Sequence, residues 1–422
     1  MSDRPQRAWC LYDWGNSAFA TTVMAALFPP FFRELAEAGG YVGADATALW
    51  GYITAGALLL VALMAPFLGA LADASGRRKK FLAFFVGLGI LLTALFATIG
   101  PGAWRTAAFL FVGANFGFAA ATIFYDSLLP SLAKGDELDR LSARAYAWGY
   151  AGGGLLLIIN LMWVMRPEWF GLPDADTAVR LSFISVAIWW GIFTVPLLRQ
   201  VPEPPAGASD RSRPIWRQGW GRFWQTCREI RHQKPLLTFL IAYWIYNDGI
   251  GTIVKMATAY GSEIGIGLTD MIGALVLTQL IGIPCALAFG RLAQRITPRG
   301  AILLALAVYL GISIGGYFMS TALHFYLLAA AVGTVQGGAQ ALSRSLFATM
   351  VPRDRTAEYF GFYAMSGKLA GVAGPLLFAA VSQMTGTGRL GILSLVVFFG
   401  VGGYMLTRVD FAAGMAAARQ DD

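Results

Sequence analysis

Hydrophobic and polar positions in this chain are grouped in long blocks. Apolar runs of about 18 residues or more, each long enough to cross a bilayer as a helix, follow one another along its length. Short segments rich in glycine, proline and charge separate them. The pattern predicts twelve transmembrane helices, at 5–36, 46–72, 81–99, 104–133, 142–165, 178–199, 235–262, 268–294, 300–319, 322–350, 357–384 and 388–408. The predicted fold class is an all-α integral membrane protein.

One segment between the sixth and seventh predicted helices departs from this pattern. It carries four prolines and then a basic stretch with three tryptophans, namely Pro202, Pro204, Pro205, Pro214, Trp216, Trp220 and Trp224. We interpret it as a linker whose second part forms an amphipathic helix on the membrane surface. The predicted domains are an N-terminal six-helix half (1–199), this linker (200–234), a C-terminal six-helix half (235–410) and a tail (411–422).

Composition and charge placement fit this interpretation. Charged residues make up 13% of the chain, against about 25% in soluble domains. Most of the 32 Lys and Arg residues fall in alternate segments, including the N-terminus, 73–80, 134–144, the linker and the tail. Because positive charge marks the cytoplasmic side, both termini and the linker are predicted to be cytoplasmic. The net charge of +8 is therefore a sign of topology, not of nucleic-acid binding.

Small residues recur in register in the two predicted halves. With an offset of 218, the pair Gly149-x-x-x-Gly153 falls on the pair Gly367-x-x-x-Gly371. Such pairs allow helix backbones to approach closely. Recurrence at one offset predicts two pseudo-symmetric halves of six helices each.

The loop after the second predicted helix reads GALADASGRRKK, at 69–80. It resembles the signature loop of the major facilitator superfamily, and the matching residues are Gly69, Asp73, Gly76, Arg77 and Arg78. The glycines permit a tight turn. The acid can lock two helices in one state by facing a helix N-terminus or an arginine. The alternative interpretation is a cluster of cytoplasmic positive charge only.

Polar residues inside the first predicted helix form a candidate substrate or proton site. Asp13 and Asn16 are one turn apart and share a face, with Tyr12 beside them. An acid inside a membrane helix is costly and is a functional hypothesis by default, here for a substrate amine or a proton. The alternative is a structural hydrogen bond or an interfacial position.

The second half carries comparable residues in its seventh, tenth and eleventh predicted helices. They are Tyr246, Asn247, Asp248, Gln336, Gln340 and Lys368. Asp248 and Lys368 lie at similar predicted depth, so a pair between them would lower the burial cost of both charges. The pair is either functional or a permanent structural one. The glutamines either line a water-filled cavity or hold helices together.

The repeat also predicts a cytoplasmic gate. Asp126 aligns with Arg344 at the offset of 218, and both lie near cytoplasmic helix ends. If the two halves meet there, an acid faces a base. We hypothesise a gate pair that forms when this side closes and breaks when it opens. The alternative is that Asp126 pairs within its own half, with Arg77, Arg140 or Arg144.

Several of these stretches together resemble one family, the bacterial branch of the vacuole-effluxer-like family of autophagy-associated amino-acid effluxers. They are YDWGNSA (12–18), ADASGRRK (72–79), YDSLLP (125–130), GGAQALSRS (337–345) and FGFY (360–363). The family is a subgroup of the major facilitator superfamily. The resemblance implies the twelve-helix fold, transport of a small-molecule substrate, amino-acid export as the family theme, and a monomer.

Together these features predict a multi-pass protein of the bacterial inner membrane, surrounded by lipid. It would be a proton-linked secondary transporter of small polar solutes, most simply amino acids, acting by alternating access. An exporter of drugs or amphipathic solutes is the alternative. Three scattered cysteines and two histidines match no metal or disulfide spacing, so no metal or cofactor is predicted. No nucleotide-binding loop, nucleophile motif or added soluble domain supports an enzyme, a nucleic-acid partner or a sensor.

Overall fold

Helices form where the apolar blocks predict them. The computed structural model describes residues 3–41, 44–204 and 215–420, and this part of the chain is helical without a strand. Helix α1 is a continuous run made of Arg4–Ala18, a π-helical stretch Phe19–Leu27, and Phe28–Ala38. The other helices of the first half are α2 Ala44–Ser75, α3 Arg78–Leu95, α4 Trp104–Ser127, α5 Asp136–Met165 and α6 Ala175–Gln200.

The second half begins after a separate helix, Ile215–His232, which we call the linker helix. The remaining helices are α7 Lys234–Glu263, α8 Leu268–Ile296, α9 Pro298–Tyr317, α10 Ala322–Thr349, α11 Thr356–Leu369 with Ala373–Thr385, and α12 Gly388–Ser394 with Val396–Thr407. A short tail helix spans Phe411–Gln420. In the described residues, α2 to α12 account for eleven spans long and apolar enough to cross a membrane.

The structure differs from several of the predicted helices. Helix α4 ends at Ser127 and is followed by a separate turn, Leu129–Leu132, where one helix over 104–133 was predicted. Helix α11 was predicted as one piece but is interrupted at 370–372, because Pro375 lacks an N–H group and its ring opposes the carbonyl of Gly371. Helix α12 is likewise interrupted, at Leu395. Helix α5 begins at Asp136, ahead of the predicted 142, since acidic residues in its first turn favour a helix N-terminus.

Chain contacts divide the structure into two compact units. Unit 1 comprises Met1–Ala65, Arg77–Tyr125 and Trp148–Pro204. Unit 2 comprises Pro66–Gly76, Asp126–Ala147 and Pro205–Asp422. The end of α2, the end of α4 and the start of α5 thus belong with the second six helices. The predicted division into halves at 199 and 235 stays a prediction, and Pro205 and Pro214 lie outside the described residues.

Packing inside each unit follows the repeat. In unit 1, α1 packs against α6, and α3 also packs against α6. In unit 2, α7 packs against α12 in the equivalent way, while α10 packs against α8 and α9. Small residues permit these approaches, as the recurrence of glycine pairs predicts.

Candidate functional site

The acid of α1 lies among polar and aromatic groups of unit 1. The Tyr125 hydroxyl donates to Asp13 Oδ2 at 3.3 Å, and the Ser17 hydroxyl lies 3.4 Å from Asp13 Oδ1. The Asp13 side chain remains half-buried. A carboxylate held by two hydroxyls and still partly exposed within a membrane helix can accept a cation or a proton.

Glycines of α5 bring α1 close enough to build this arrangement. A Cβ atom on Gly149 would lie 2.6 Å from Ser17 Oγ and 3.3 Å from Asp13 Oδ1. On Gly152 it would lie 2.3 Å from the Trp14 carbonyl oxygen. No side chain fits at such distances, so these glycines position the acid through close backbone approach.

Aromatic rings surround the same acid. Tyr125 stacks on Trp9 with a centroid separation of 4.5 Å and contacts Tyr12 at 4.6 Å. Trp9 Nε1 donates to the Tyr125 carbonyl oxygen at 3.0 Å. Asn16, predicted to share a face with Asp13, is buried. Tyr125 was not singled out from the sequence, although its place beside Asp126 in the YDSLLP motif could have drawn attention to it.

A polar stripe runs along α10 in unit 2. Gln336, Gln340 and Ser343 are spaced to share one helix face. The Tyr246 hydroxyl lies 2.6 Å from Ser343 Oγ. Gln336, Gln340 and Asn247 of α7 are half-buried. In the described part of the chain, the side-chain amides of these three residues have no hydrogen-bond partner. Unpaired amides face water or a ligand, because lipid cannot satisfy them.

Asp248 lies at the interruption of α11. It is buried, and the backbone amides of Ala373 and Gly374 face its carboxylate at the start of the second piece of α11. The Thr252 hydroxyl lies 3.4 Å from Asp248 Oδ1. A helix N-terminus favours a negative charge, which explains how the structure tolerates this acid.

The hypothesised pair between Asp248 and Lys368 is wrong as regards this structure. No ion pair joins them among residues 3–41, 44–204 and 215–420. Asp248 faces the second piece of α11, whereas half-buried Lys368 belongs to the last turn of the first piece, where a helix C-terminus favours a cation. Lys255 lies about two helical turns after Asp248 on α7.

Arg344 is the centre of a buried cluster in unit 2. Its Nη1 donates to Asp126 Oδ1 at 2.9 Å, with little of either side chain exposed. Its Nε donates to Ser142 Oγ at 3.0 Å and its Nη2 to the Ser142 carbonyl oxygen at 3.1 Å. The guanidinium also lies 4.6 Å from the centre of the Tyr146 ring. We call these four residues the Arg344 cluster, and it joins α4 and α5 to α10.

Further hydrogen bonds tie the same helix ends together. The Ser345 hydroxyl donates to Asp139 Oδ1, and the Ser142 hydroxyl donates to the Ala341 carbonyl oxygen at 2.7 Å. Sequence reasoning missed Ser142 and Asp139, because 134–144 was interpreted mainly as a basic loop. Asp139 and Ser142 are three residues apart, so they share a helix face, and this spacing could have indicated a polar contact surface at the start of α5.

The signature loop contacts α11. Asp73 is buried, and its Oδ2 accepts the backbone N–H of Glu358 at 2.8 Å, in the first turn of α11. A Cβ on Gly69 would lie 2.1 Å from the Ala357 carbonyl oxygen, so only glycine fits there. Gly76 has φ +62°, which glycine adopts readily. Arg77 is exposed and Arg78 is buried.

Comparison with known proteins identifies the family. The family model described as "Vacuole effluxer Atg22 like" matches residues 1–419. The chain belongs to this family. The uncharacterized MFS-type transporter YxiO of Bacillus subtilis is 36% identical over 94% of this Atg22-like chain and 93% of its own. Autophagy-related protein 22 of Coccidioides immitis is 22% identical over 97% and 87% of the two chains.

Solved structures confirm the fold. The human organic anion transporter MFSD10 superposes with a TM-score of 0.68 at 16% identity, covering 96% of this Atg22-like chain and 99% of its own. The transporter FucP in its outward conformation gives a TM-score of 0.71 at 12% identity, covering 96% and 98%. The predicted family and fold are therefore confirmed: the chain is a multi-pass membrane transporter of the major facilitator type.

Proposed function

We propose that this transporter moves small polar solutes, and specifically amino acids, across the bacterial inner membrane by alternating access linked to protons, with both termini in the cytoplasm. The observation that carries the proposal is the set of unpaired polar side chains in unit 2. Asn247, Gln336, Gln340 and Lys368 are half-buried in membrane-spanning helices and make no hydrogen bond in the described part of the chain. Such groups suit a hydrated cavity that binds a polar solute.

Each unit, taken by itself, carries a charge that can bind one of the charged groups of an amino acid. In unit 1, Asp13 offers a partly exposed carboxylate for an ammonium group or a proton. In unit 2, Lys255 and Lys368 outnumber the acid Asp248, whose charge already faces the start of a helix piece. This excess of positive charge supports binding of a carboxylate.

Alternating access requires contacts that form in one state and break in another. The Arg344 cluster and the contact of Asp73 with α11 join segments from before and after the linker at one end of the helices. We propose that they hold this end closed and are released when it opens.

The test is uptake of labelled amino acids into proteoliposomes with and without an imposed pH gradient. Accumulation that follows the gradient and is lost in Asp13→Asn or Asp248→Asn supports the proposal. Glu34→Gln is the matched control, because it removes an exposed acid from the same helix as Asp13. Folded protein that takes up no amino acid with or without the gradient contradicts the amino-acid assignment.

One observation favours an exporter of amphipathic cations as the second candidate. Trp14 follows Asp13 and lies 6.1 Å from the rings of both Trp148 and Trp189. Aromatic faces beside a carboxylate bind organic cations through cation–π attraction. The test is uptake of a labelled organic cation. Uptake that is lost in Asp13→Asn and is unaffected by excess amino acid would favour this candidate.

A further inference from the structure

The linker helix has an outer face that the transport mechanism does not use. Trp216, Trp220 and Trp224 recur every four residues and form one stripe, with 54%, 46% and 63% of their surfaces exposed. The exposed arginines of the linker helix, Arg217, Arg228 and Arg231, flank this stripe. A helix that exposes aromatic rings beside cations has the composition of a helix lying at a membrane interface.

The inner face of the linker helix is held by apolar contacts with α2 and α11. Phe223 stacks on Phe362 at 5.9 Å, and the Trp220 ring, partly exposed at the border between the two faces, lies 4.8 Å from the ring of Phe67. Gly219 lies against Leu71. These contacts fix which face of the linker helix turns outward.

A partly buried polar network connects the same inner face to Arg355, just before α11, and to the first turn of α11. Arg355 donates from Nη1 to Glu229 Oε2 at 2.7 Å and from Nε to Glu358 Oε2 at 3.2 Å. Thr226 donates to the fully buried Glu358 carboxylate. Glu358 is also the residue whose backbone N–H reaches Asp73 of the signature loop. The linker helix is therefore hydrogen-bonded to the point where the signature loop meets α11.

We infer that the linker helix is a binding element for anionic phospholipid headgroups, and that this binding holds the signature loop and α11 together. Charge decides the class of partner. Glu229 is the only acid of the linker helix, and it pairs with Arg355 on the inner face. The outer face of the helix therefore carries arginines and no acid. An anionic membrane surface complements this face, whereas a zwitterionic surface does not.

Cys227 provides a direct reporter on the linker helix. It is half-buried, and burial raises the pKa of its thiol, which slows its alkylation while the helix stays docked. The reporter protein carries Cys10→Ala and Cys285→Ala. It is reconstituted in phosphatidylcholine alone or mixed with phosphatidylglycerol, and its labelling by uncharged N-ethylmaleimide is timed. No substrate is needed, so the outcome is independent of the proposed transport function.

We expect phosphatidylglycerol to slow labelling of Cys227 by about fivefold or more, and high salt to remove the effect. Arg217→Gln/Arg228→Gln should abolish it. The matched control Arg291→Gln/Arg295→Gln removes the same charge from exposed positions of α8 and should preserve it. Equal rates of Cys227 labelling in the two membranes would overturn the inference. So would an equal loss of the phosphatidylglycerol effect in both double variants. Because all four arginines are exposed, folding is checked simply by size-exclusion chromatography.

Discussion

Arg344 of α10 and Asp126 of α4 form a buried ion pair, with Nη1 and Oδ1 2.9 Å apart. The two residues occupy equivalent positions of the internal repeat, 218 residues apart. A pseudo-symmetric fold brings equivalent helix ends to one place, so an acid on one copy and a base on the other can meet. Arg344 is anchored further by Ser142, which makes the pair part of a wider cluster.

The first prediction concerns this pair. Asp126→Asn leaves a buried guanidinium without its counter-ion, and loss of one partner of a buried pair costs about 3–5 kcal/mol. We therefore expect lower thermal stability and loss of uptake for Asp126→Asn and for Arg344→Asp. The charge swap Asp126→Arg with Arg344→Asp should recover part of both. Recovery stays incomplete because aspartate at 344 cannot donate to Ser142.

The measurements are intrinsic tryptophan fluorescence during heating and uptake in proteoliposomes. Glu37→Gln serves as the control, because it removes an exposed pair with Arg33 that contributes below about 1 kcal/mol. A swap that does no better than the worse single variant would argue against direct pairing as the functional contact.

The second prediction concerns the approach of the signature loop to α11. Gly69→Ala places a methyl group 2.1 Å from the Ala357 carbonyl oxygen, so the two helices must separate. We expect a loss of roughly 1–3 kcal/mol of stability, and weakening of the contact between Asp73 and Glu358. Gly56→Ala in the same helix has no atom within 4 Å of the added methyl and should not lower stability. The measurement is the thermal unfolding temperature of the two variants. Equal temperatures would show that the close approach of Gly69 to Ala357 is dispensable for stability.

The sequence predicted the helices and the meeting of Asp126 with Arg344, because both follow from periodicity and from the repeat. It failed for Asp248 and Lys368. Their equal depth was estimated on unbroken helices. Because α11 is interrupted near Pro375, Asp248 of α7 faces the start of its second piece, whereas Lys368 lies at the end of its first piece. Where a helix such as α11 is interrupted, the depth of a residue along the predicted helix does not determine the direction of its side chain.

The contacts of the linker helix could not be predicted for a different reason. Its amphipathic character was visible, but Thr226 and Glu229 look like ordinary polar positions of an exposed helix. Their partners Arg355 and Glu358 lie more than a hundred residues away, at the start of the eleventh predicted helix. Pairing between distant segments needs the fold itself, since no local pattern encodes it.

The third prediction tests the setting of Asp248. Gly374→Ala places a methyl group 2.0 Å from Thr252 Oγ1 and 2.7 Å from Asp248 Oδ1, which must move the acid from the start of the second piece of α11. We expect uptake to fall to the level of Asp248→Asn. Adding Thr252→Ala should recover thermal stability but not uptake, because the acid stays displaced. Gly311→Ala in α9, where the added methyl meets nothing, is the control. Full uptake by Gly374→Ala would show that transport does not require Asp248 to lie at the start of the second piece of α11.

The fourth prediction concerns the turn between α8 and α9, the counterpart of the signature loop. Thr297 has φ +73° and ψ +150°, a conformation that is essentially restricted to glycine and costs about 1–3 kcal/mol for other residues. Its hydroxyl also accepts the Gly300 N–H at 3.2 Å and caps α9. Thr297→Gly removes the strain, while loss of this cap costs only a few tenths of a kcal/mol. We expect a net gain of about 1 kcal/mol, seen as a higher unfolding temperature. Thr297→Ala keeps the strain and loses the cap, so it should be destabilised; a stabilised alanine variant would contradict the strain argument.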